Sequence, residues 1–414
     1  MVYPFKCEEK WDVHTHTTTS PHAYKKLEKF AGKYSDFVRV KQNTQHDCRA
    51  VMIRGTDTFV RDIENNAFDA SARIRECDLY HVSKQVLSPT PMQIPDFITD
   101  DPHAAHDVCQ ILNDDLAAML AEFPERFVGL GALPMNFPEL AIKELERIKA
   151  LGMRGVEINS HINGLDLDDE RFFPVFSALN ELDLCVFIHP WEGFMNPTDE
   201  SLKKRMNEKR NWRPWLTGMP LETTLAFDSM LRGLVHERLP NLRVLYAHGG
   251  GAFPMLLGRL EHGAYCRPDL FSSYFQGSSH KNPYQTLFDA RVYTDSLVHN
   301  PWALKYLIDI LGSSRIAMGS DYPYPLGEIE PYNQQSFLDP KGKKCPYEKI
   351  KGIYPGHMIE HLPSSLGENE KAAWKNFKQI GSVNADGARN LPVLSDVQKE
   401  NLLFKSAKSW LGFL

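Results

Sequence analysis

Eight short runs of apolar residues alternate along this chain with longer segments in which apolar residues recur at helical spacing. The runs are almost continuously apolar, which is typical of parallel strands that are buried on both faces. Eight alternating strand and helix units favour a closed (β/α)8 TIM barrel, an α/β fold, over an open doubly wound sheet. The predicted strands are Trp11–His16, Val82–Leu87, Phe127–Leu133, Gly155–Ser160, Leu184–His189, Arg243–His248, Arg291–Asp295 and Arg315–Asp321.

The segments between these strands carry the start and stop signals of helices. Pro138–Leu151 begins with a proline in its first turn and ends before Gly152, which is the usual asymmetry of proline at the start and glycine past the end. Similar patterns predict helices at Asp101–Phe123, Leu221–Leu239 and Pro301–Leu311.

Two stretches depart from this alternation. Residues 17–80 hold three short β-like pieces, and we expect them to form a small β-rich cap that is inserted after the first strand. Residues 331–394 are rich in proline, glycine, lysine and asparagine, which predicts a partly irregular surface excursion before a final helix at Ser395–Trp410. The whole chain, 1–414, is therefore predicted to be one barrel domain with two insertions. The pieces of the cap are Phe37–Lys41, Arg49–Arg54 and Thr58–Ile63.

Composition and charge narrow the class of protein. The 414 residues are 42% hydrophobic and carry a formal net charge of −6, which gives no sign of a nucleic-acid partner. No run approaches the roughly 20 apolar residues that a membrane span needs, and the N-terminus shows no signal peptide. Seven cysteines without a C-x-x-C pair are typical of reduced thiols. We therefore expect a soluble cytoplasmic protein with no nucleic-acid or membrane partner.

Potential metal ligands stand at the ends of four predicted strands. His14 and His16 lie two residues apart on the first, so both side chains leave the same face. His189 ends the fifth strand, His248 the sixth, and Asp321 the eighth. Each residue alone is more often structural, but the active site of a barrel lies where its strands end, and imidazole with carboxylate suits Zn²⁺ or a similar ion. The joint order therefore favours a metal site.

This order resembles that of the amidohydrolase superfamily of metal-dependent barrels. Several longer sequence segments resemble, more specifically, the metal-dependent decarboxylase branch of that superfamily. The likeness extends from about Trp11 to Glu330. It implies the amidohydrolase type of (β/α)8 barrel with a β-rich cap after the first strand. The segments are Gly129–Met135, Phe187–Trp191, Pro214–Thr224, Ala247–Pro254 and Gly319–Glu328.

The resemblance also implies a ligand set and a general base. Many members of the superfamily use a lysine on the fourth strand to bridge a second metal ion, and here that strand ends without a lysine. One Zn²⁺ per chain is therefore implied, with Co²⁺ or Fe²⁺ as alternatives, and with His14, His16, His189 and Asp321 as ligands. His248 is implied to act as general acid and base beside a metal-bound water, which adds to the substrate before CO₂ leaves.

The activity that the resemblance implies is decarboxylation of 2-amino-3-carboxymuconate 6-semialdehyde without oxygen, a step of tryptophan and kynurenine catabolism that limits quinolinate formation. The two carboxylates of this small molecule call for arginines. Arg61 in the cap matches one family arginine, and Arg267 matches a second that the neighbouring subunit supplies, which implies a homodimer. Trp215 and Tyr324 match aromatic residues of the pocket. From the residues alone, Arg61 can be an exposed strand arginine, Arg267 a helix cap, and Trp215 part of the core.

Three other functions stay open. The chain can be a decarboxylase of a hydroxybenzoate-type aromatic acid, or an amidohydrolase that cleaves C–N bonds. It can also be a catalytically silent barrel that serves as a binding partner. The segments Pro214–Pro220 and Gly249–Pro254 favour decarboxylation of the semialdehyde over the two other activities. The intact ligand set and His248 argue against a silent barrel.

Overall fold

A computed structural model describes residues 5–35, 37–42, 49–54, 58–195, 199–206, 211–271, 283–328, 354–365 and 391–414. Within those ranges, no helix is long and apolar enough to cross a membrane. The strands are β1 (Trp11–Thr17), β2 (Val38–Gln42), β3 (Arg49–Arg54), β4 (Thr58–Glu64), β5 (Lys84–Pro89), β6 (Phe127–Ala132), β7 (Gly155–Asn159), β8 (His161–Ile162), β9 (Leu165–Asp166), β10 (Cys185–His189), β11 (Val244–Tyr246), β12 (Val292–Asp295) and β13 (Ile316–Ala317).

Helices follow most of the strands. A π-helical segment, Pro214–Gly218, leads directly into one of them, and a second, Asn401–Lys405, interrupts the last. The α-helices are α1 (Pro21–Ala31), α2 (Ala70–Leu79), α3 (Pro102–Glu122), α4 (Pro138–Ala150), α5 (Phe173–Glu181), α6 (Glu200–Arg205), α7 (Met219–Arg232), α8 (Val235–Arg238), α9 (Phe253–Cys266), α10 (Pro283–Asp289), α11 (Pro301–Leu311), α12 (His357–His361), α13 (Asp396–Glu400) and α14 (Ser406–Leu411).

Eight strands form one sheet in the order β1-β5-β6-β7-β10-β11-β12-β13. This order follows the chain, as it does in a (β/α)8 barrel. The first strand also runs beside the last, because the Val13 N–H donates to the Met318 carbonyl at 2.9 Å and the Asp321 N–H donates to the His14 carbonyl at 2.8 Å. The predicted TIM barrel is confirmed, and each of the eight predicted strands overlaps one strand of this sheet.

The chain divides into two compact units. The first comprises Met1–Ser88, Ala118–Val128 and Asp295–Ser409. It holds β1, β5 and β13, together with a separate antiparallel sheet of β2, β3 and β4. Its core includes Leu304 and Leu307 of α11, packed with residues of the C-terminal helical segment such as Leu402 and Leu403.

The second unit comprises Pro89–Ala117, Gly129–Thr294 and Trp410–Leu414. Its strands β6, β7, β10, β11 and β12 pair in parallel. The side chains of these strands are almost all buried, which agrees with their continuous apolar pattern. Trp410 is fully buried and its ring lies edge-on to Phe187 of β10, at 6.4 Å between centroids.

Several local predictions differ from the structure. The stretch 17–80 contains two helices, α1 and α2, besides its three predicted strands. The start of α1 was detectable, because Ser20 caps it through its side chain and Pro21 occupies the first turn. The predicted helix Leu221–Leu239 is divided between α7 and α8, since Leu234 has a left-handed φ of 63°. Residues 331–353 and 366–390 of the predicted excursion lie outside the described residues.

Candidate metal centre

Three of the predicted ligands converge in the first unit. The Nε2 atoms of His14 and His16 lie 3.1 Å apart, since both side chains leave β1 on the same face. The Asp321 Oδ1 atom lies 3.5 Å from the first of these nitrogens and 3.3 Å from the second. All three side chains are buried. Two imidazole nitrogens and a carboxylate oxygen at such separations are close enough to bind one ion together.

His189 completes the cluster. It is the last residue of β10, and one ligand atom from each of His14, His16, His189 and Asp321 lies within 4.8 Å of all the others. Three imidazoles and one carboxylate are the donors that a divalent transition metal prefers, and their burial excludes competing water. Burial lowers the pKa of His16, which keeps its ring neutral, as a metal ligand must be. The donor set therefore fits a single divalent ion.

A second carboxylate lies behind His14. The Asp295 Oδ2 atom at the end of β12 lies 2.6 Å from His14 Nδ1, and Asp295 Oδ1 accepts the Leu297 N–H at 3.0 Å. Because an ionised carboxylate only accepts hydrogen bonds, the proton of the imidazole sits on Nδ1 and the lone pair on Nε2 points at the cluster. Asp295 was not among the predicted site residues, although it ends the predicted seventh strand.

The loop that carries Asp321 is held by Asp12. The Asp12 carboxylate accepts hydrogen bonds from the Ser320 hydroxyl at 2.5 Å and from the Ser320 N–H at 3.0 Å. Burial raises the pKa of Asp12 to about 6. Asp321 itself has a φ of 59°, a left-handed conformation that is uncommon for a residue other than glycine. The hydrogen bonds at Ser320 thus maintain a strained backbone that aims a ligand.

A buried arginine supports the end of β1, just after the candidate ligands His14 and His16. Arg73 of α2 donates through Nη1 to the carbonyls of His16 at 2.8 Å and Asn66 at 3.1 Å, and through Nε to Gln85 at 3.1 Å. Its guanidinium lies over the ring of Tyr322, at 4.7 Å from the centroid. Arg73 therefore fixes the position where the chain leaves β1. Sequence reasoning missed it, because nothing in the local pattern separates it from a surface arginine.

His248 follows β11 in the second unit and is half-buried. The centroid of its ring lies 5.3 Å from that of His189, with the two planes inclined at 64°. Its φ of 54° begins a run of left-handed residues that continues through Gly249, Gly250 and Gly251. A Cβ at Gly251 would lie 2.2 Å from the Pro220 carbonyl oxygen, so only glycine permits this turn. The turn places an imidazole directly beside a ligand.

The four predicted substrate residues lie on different elements of the structure. The ring centroid of Tyr324 lies 5.5 Å from that of His16, and the half-buried Trp215 stacks on Trp212 at 6.1 Å. The backbone of Arg61 lies in β4 opposite Met52, and its side chain is outside the described part of the structure. Arg267 caps the C-terminal end of α9, is exposed, and forms an ion pair with its near neighbour Asp269, with Nη2 and Oδ2 at 2.6 Å.

Comparisons with known proteins agree with this geometry. The amidohydrolase family model matches residues 11–356. The 2-amino-3-carboxymuconate-6-semialdehyde decarboxylase of Dictyostelium discoideum is 42% identical over 324 residues, which cover 78% of this chain and 84% of that protein. The enzyme of the same name from Caenorhabditis elegans is 32% identical over 427 residues, covering 91% of this chain and 94% of that protein.

A similar architecture is found among solved structures. The crystal structure of Metarhizium anisopliae IDCase in apo form has a TM-score of 0.69 and covers 98% of this chain and 97% of that chain. Since only 21% of the residues are identical, the likeness establishes the fold alone. The two decarboxylases confirm the resemblance to the decarboxylase branch that the sequence segments indicate.

Proposed function

This chain belongs to the amidohydrolase family and is a metal-dependent decarboxylase, and we propose that its substrate is 2-amino-3-carboxymuconate 6-semialdehyde. The product would be 2-aminomuconate 6-semialdehyde, in tryptophan and kynurenine catabolism, where the reaction limits quinolinate formation. The observation that carries the proposal is the buried cluster of three imidazoles and one carboxylate, with His248 beside it. The two relatives named for this reaction support the choice of substrate.

The described residues provide for the chemistry of this reaction. A divalent ion held by His14, His16, His189 and Asp321 would supply Lewis-acid activation of water. Decarboxylation releases CO₂ from carbon 3 of the substrate and leaves an electron pair that must receive a proton. His248 would take a proton from water on its imidazole and then deliver a proton to the carbon that has lost CO₂.

Binding of the substrate is assigned to four further residues. Arg61 and Arg267 each bind one carboxylate, since a guanidinium matches a carboxylate with two parallel hydrogen bonds. Trp215 and Tyr324 form aromatic walls for the planar, conjugated chain of the substrate. Tyr324 is well placed for this role, because its ring lies close to that of His16.

The direct test is consumption of freshly generated 2-amino-3-carboxymuconate 6-semialdehyde by the zinc-loaded protein, followed by the fall of its absorbance and by release of CO₂. Parallel assays with 2,6-dihydroxybenzoate and with an amide substrate address the two enzyme alternatives. Turnover of a hydroxybenzoate alone, or release of ammonia without CO₂, would refute the proposed substrate. Turnover in none of the assays would favour a catalytically silent barrel.

We propose one Zn²⁺ per chain, with Co²⁺ and Fe²⁺ as ions that the same ligands accept. The fourth strand of the barrel, β7, ends at Asn159 and is followed by Ser160 and His161, so it offers no lysine to bridge a second ion. Elemental analysis of active protein should give one metal ion per chain, and removal by a chelator should abolish activity until the ion is restored. Two ions per active chain would contradict the mononuclear site.

A homodimer would bring Arg267 to the site of its partner. This exposed arginine follows the last residue of α9, and Met255 and Tyr265 of the same helix are also largely exposed, at 68% and 67%. Arg61→Ala and Arg267→Ala chains should each be nearly inactive as homodimers and keep their metal. In a mixed dimer, both lesions fall on one site and the other keeps both arginines, so activity should partly return. No recovery despite proven subunit exchange would refute the shared site.

A further inference from the structure

Two buried pairs, each of an amide and a carboxylate side chain, lie in the second unit. They differ in whether all of their polar atoms have hydrogen-bond partners. In the first, the Asn113 Nδ2 donates to Glu144 Oε1 at 2.7 Å and to the Ala132 carbonyl at 3.0 Å, while Asn113 Oδ1 accepts the Ala132 N–H. Both oxygens of Glu144 have further partners, since His106 contacts Oε2 and the Arg147 Nε donates to both. Every polar atom of this pair is satisfied, which is typical of a structural pair.

The second pair is Asp96 and Asn159. The Asn159 Nδ2 donates to Asp96 Oδ2, also at 2.7 Å. The remaining oxygen of each residue, Asp96 Oδ1 and Asn159 Oδ1, is buried and has no hydrogen-bond partner among the described residues. Asp96 is 8% exposed and Asn159 is 2% exposed. Buried oxygens without a partner are costly, so this pair needs an explanation that the first one does not.

The position of the pair supplies a reason. Asn159 is the last residue of β7 and stands opposite His189 of β10 in the parallel register. Residues paired in this way direct their side chains to the same face of the sheet, so Asn159 faces the side on which His189 acts as a ligand. The two oxygens without partners therefore lie at the C-terminal ends of these strands, where the candidate ligands lie, rather than among the surrounding helices.

Asp96 and Asn159 line a small cavity of about 10 Å³, together with Trp191 and Glu192. This volume admits about one group of the size of a water molecule. The amide nitrogen of Asn159 is already used, so its free atom is an acceptor. Asp96 Oδ1 is an acceptor while the carboxyl is ionised, and because burial raises the pKa of Asp96 to about 7, binding is measured above that pH. The Glu192 carboxylate lines the same cavity. His161 also lines the cavity, and its Nε2 atom lies 3.8 Å from a carboxylate oxygen of Glu222. The cavity is thus suited to a neutral or cationic donor and unsuited to a carboxylate.

We propose that Asp96 Oδ1 and Asn159 Oδ1 form a subsite that accepts N–H hydrogen bonds from an amino group of the substrate. The amino group is the part of the proposed substrate that this chemistry fits, and in naming it the inference rests on the proposed function. The pair does not touch the reacting carbon, so its role is to select and orient an aminated substrate over one without the amino group. A site whose buried acceptors would be left unpaired rejects an analogue that lacks the donor.

Binding of two stable probes tests the subsite without turnover. Phthalate and 3-aminophthalate are planar dicarboxylates that differ only by an amino group. Calorimetric titration of the zinc-loaded protein should show about tenfold or more tighter binding of 3-aminophthalate. Equal affinities, or failure of the aminated probe to bind, would overturn the proposal, and equal affinities would indicate that an ordered water fills the cavity.

Isosteric variants assign the preference to the pair. Asp96→Asn replaces one acceptor by a donor of the same shape and should abolish the preference for 3-aminophthalate. The exchange Asp96→Asn with Asn159→Asp restores the acceptors and should recover it. Glu144→Gln is the matched control, because it alters the satisfied pair and should keep the preference. Retention of the preference in Asp96→Asn would refute the assignment.

The outcome for the subsite is separable from that for the reaction. A protein that prefers 3-aminophthalate but does not consume the semialdehyde would have the subsite and a different aminated substrate. A protein that consumes the semialdehyde but binds both probes equally would have the proposed function without the subsite.

Discussion

Replacing Asp295 by asparagine should weaken metal binding while leaving all four ligands in place. The Asp295 carboxylate uses one oxygen for His14 Nδ1, at 2.6 Å, and the other for the Leu297 N–H, at 3.0 Å. Asparagine has one oxygen and one NH₂ group, so it can serve only one of these donors and must turn its own donor toward the other. Either the imidazole loses its orienting acceptor or the loop after β12 loses its anchor.

The expected loss of metal affinity follows from how tightly His14 and Asp295 are packed. His14 and Asp295 are both fully buried, and a Cβ at Gly319 would lie 2.7 Å from the Cβ of the first and 2.8 Å from that of the second. Little space is therefore left for the pair to rearrange. Loss of such an outer partner of a ligating histidine typically costs about 10- to 100-fold in metal affinity, or about 1.4–2.7 kcal/mol.

Competition with a chromophoric chelator measures this affinity directly. The control is Asp309→Asn, which makes the same chemical change at an exposed residue that forms an ion pair with Lys305 on α11. It should bind Zn²⁺ as the wild type does. If Asp295→Asn also retained the wild-type affinity and melting temperature, the carboxylate would not set the orientation of His14, and the reasoning from the 2.6 Å contact would be refuted.

Three further predictions concern the same end of the barrel. His248→Ala should keep the metal and lose about 10²–10⁴-fold in turnover, measured with metal content in the same samples; near-normal turnover would mean that another group moves the proton. Gly319→Ala should lower thermal stability by about 1–3 kcal/mol through overpacking against His14, which an unchanged melting curve would contradict. Burial raises the pKa of Glu222 from 4.5 to about 7, so its contribution to stability is complete below pH 4.5 and is lost as the pH rises through 7. The free energy of unfolding should therefore fall by up to about 3 kcal/mol more over this range in the wild type than in Glu222→Gln, and parallel pH curves would refute this.

The metal ligands could be predicted because the relevant physics is local. A His-x-His pair on a strand shares a face whatever the rest of the chain does. The ends of strands in a (β/α)8 barrel meet at one rim, so an eight-strand count was sufficient to bring His189 and Asp321 to the same place. These two regularities bring five candidates, His248 among them, to one rim, and the family resemblance selects the four whose ligand atoms lie within 4.8 Å of one another.

The residues that hold the ligands were beyond such reasoning. Asp295 contacts His14 across 281 positions of sequence, and an aspartate at a strand end is equally compatible with a cap, a ligand or a surface charge. Arg73 reads as one charge among many on a helix, yet it is fully buried beneath His16. Such assignments depend on tertiary packing, which no periodicity in the sequence reports. The helix α1 was missed for a different reason, since its capping signal is local but lies within a stretch dominated by short β-like pieces.

Backbone strain distinguishes two residues of the site from their strands. Asp321 and His248 both have a left-handed φ, 59° and 54°, and both stand where a strand ends. A strained conformation persists only where its surroundings impose it. At Asp321 the hydrogen bonds between Ser320 and Asp12 do so, and at His248 the three following glycines absorb the turn. The conformation lets each side chain leave the direction of its strand and face inward at the rim. Regular strands therefore place His14, His16 and His189, whereas Asp321 and His248 depend on two places where the regular backbone is interrupted.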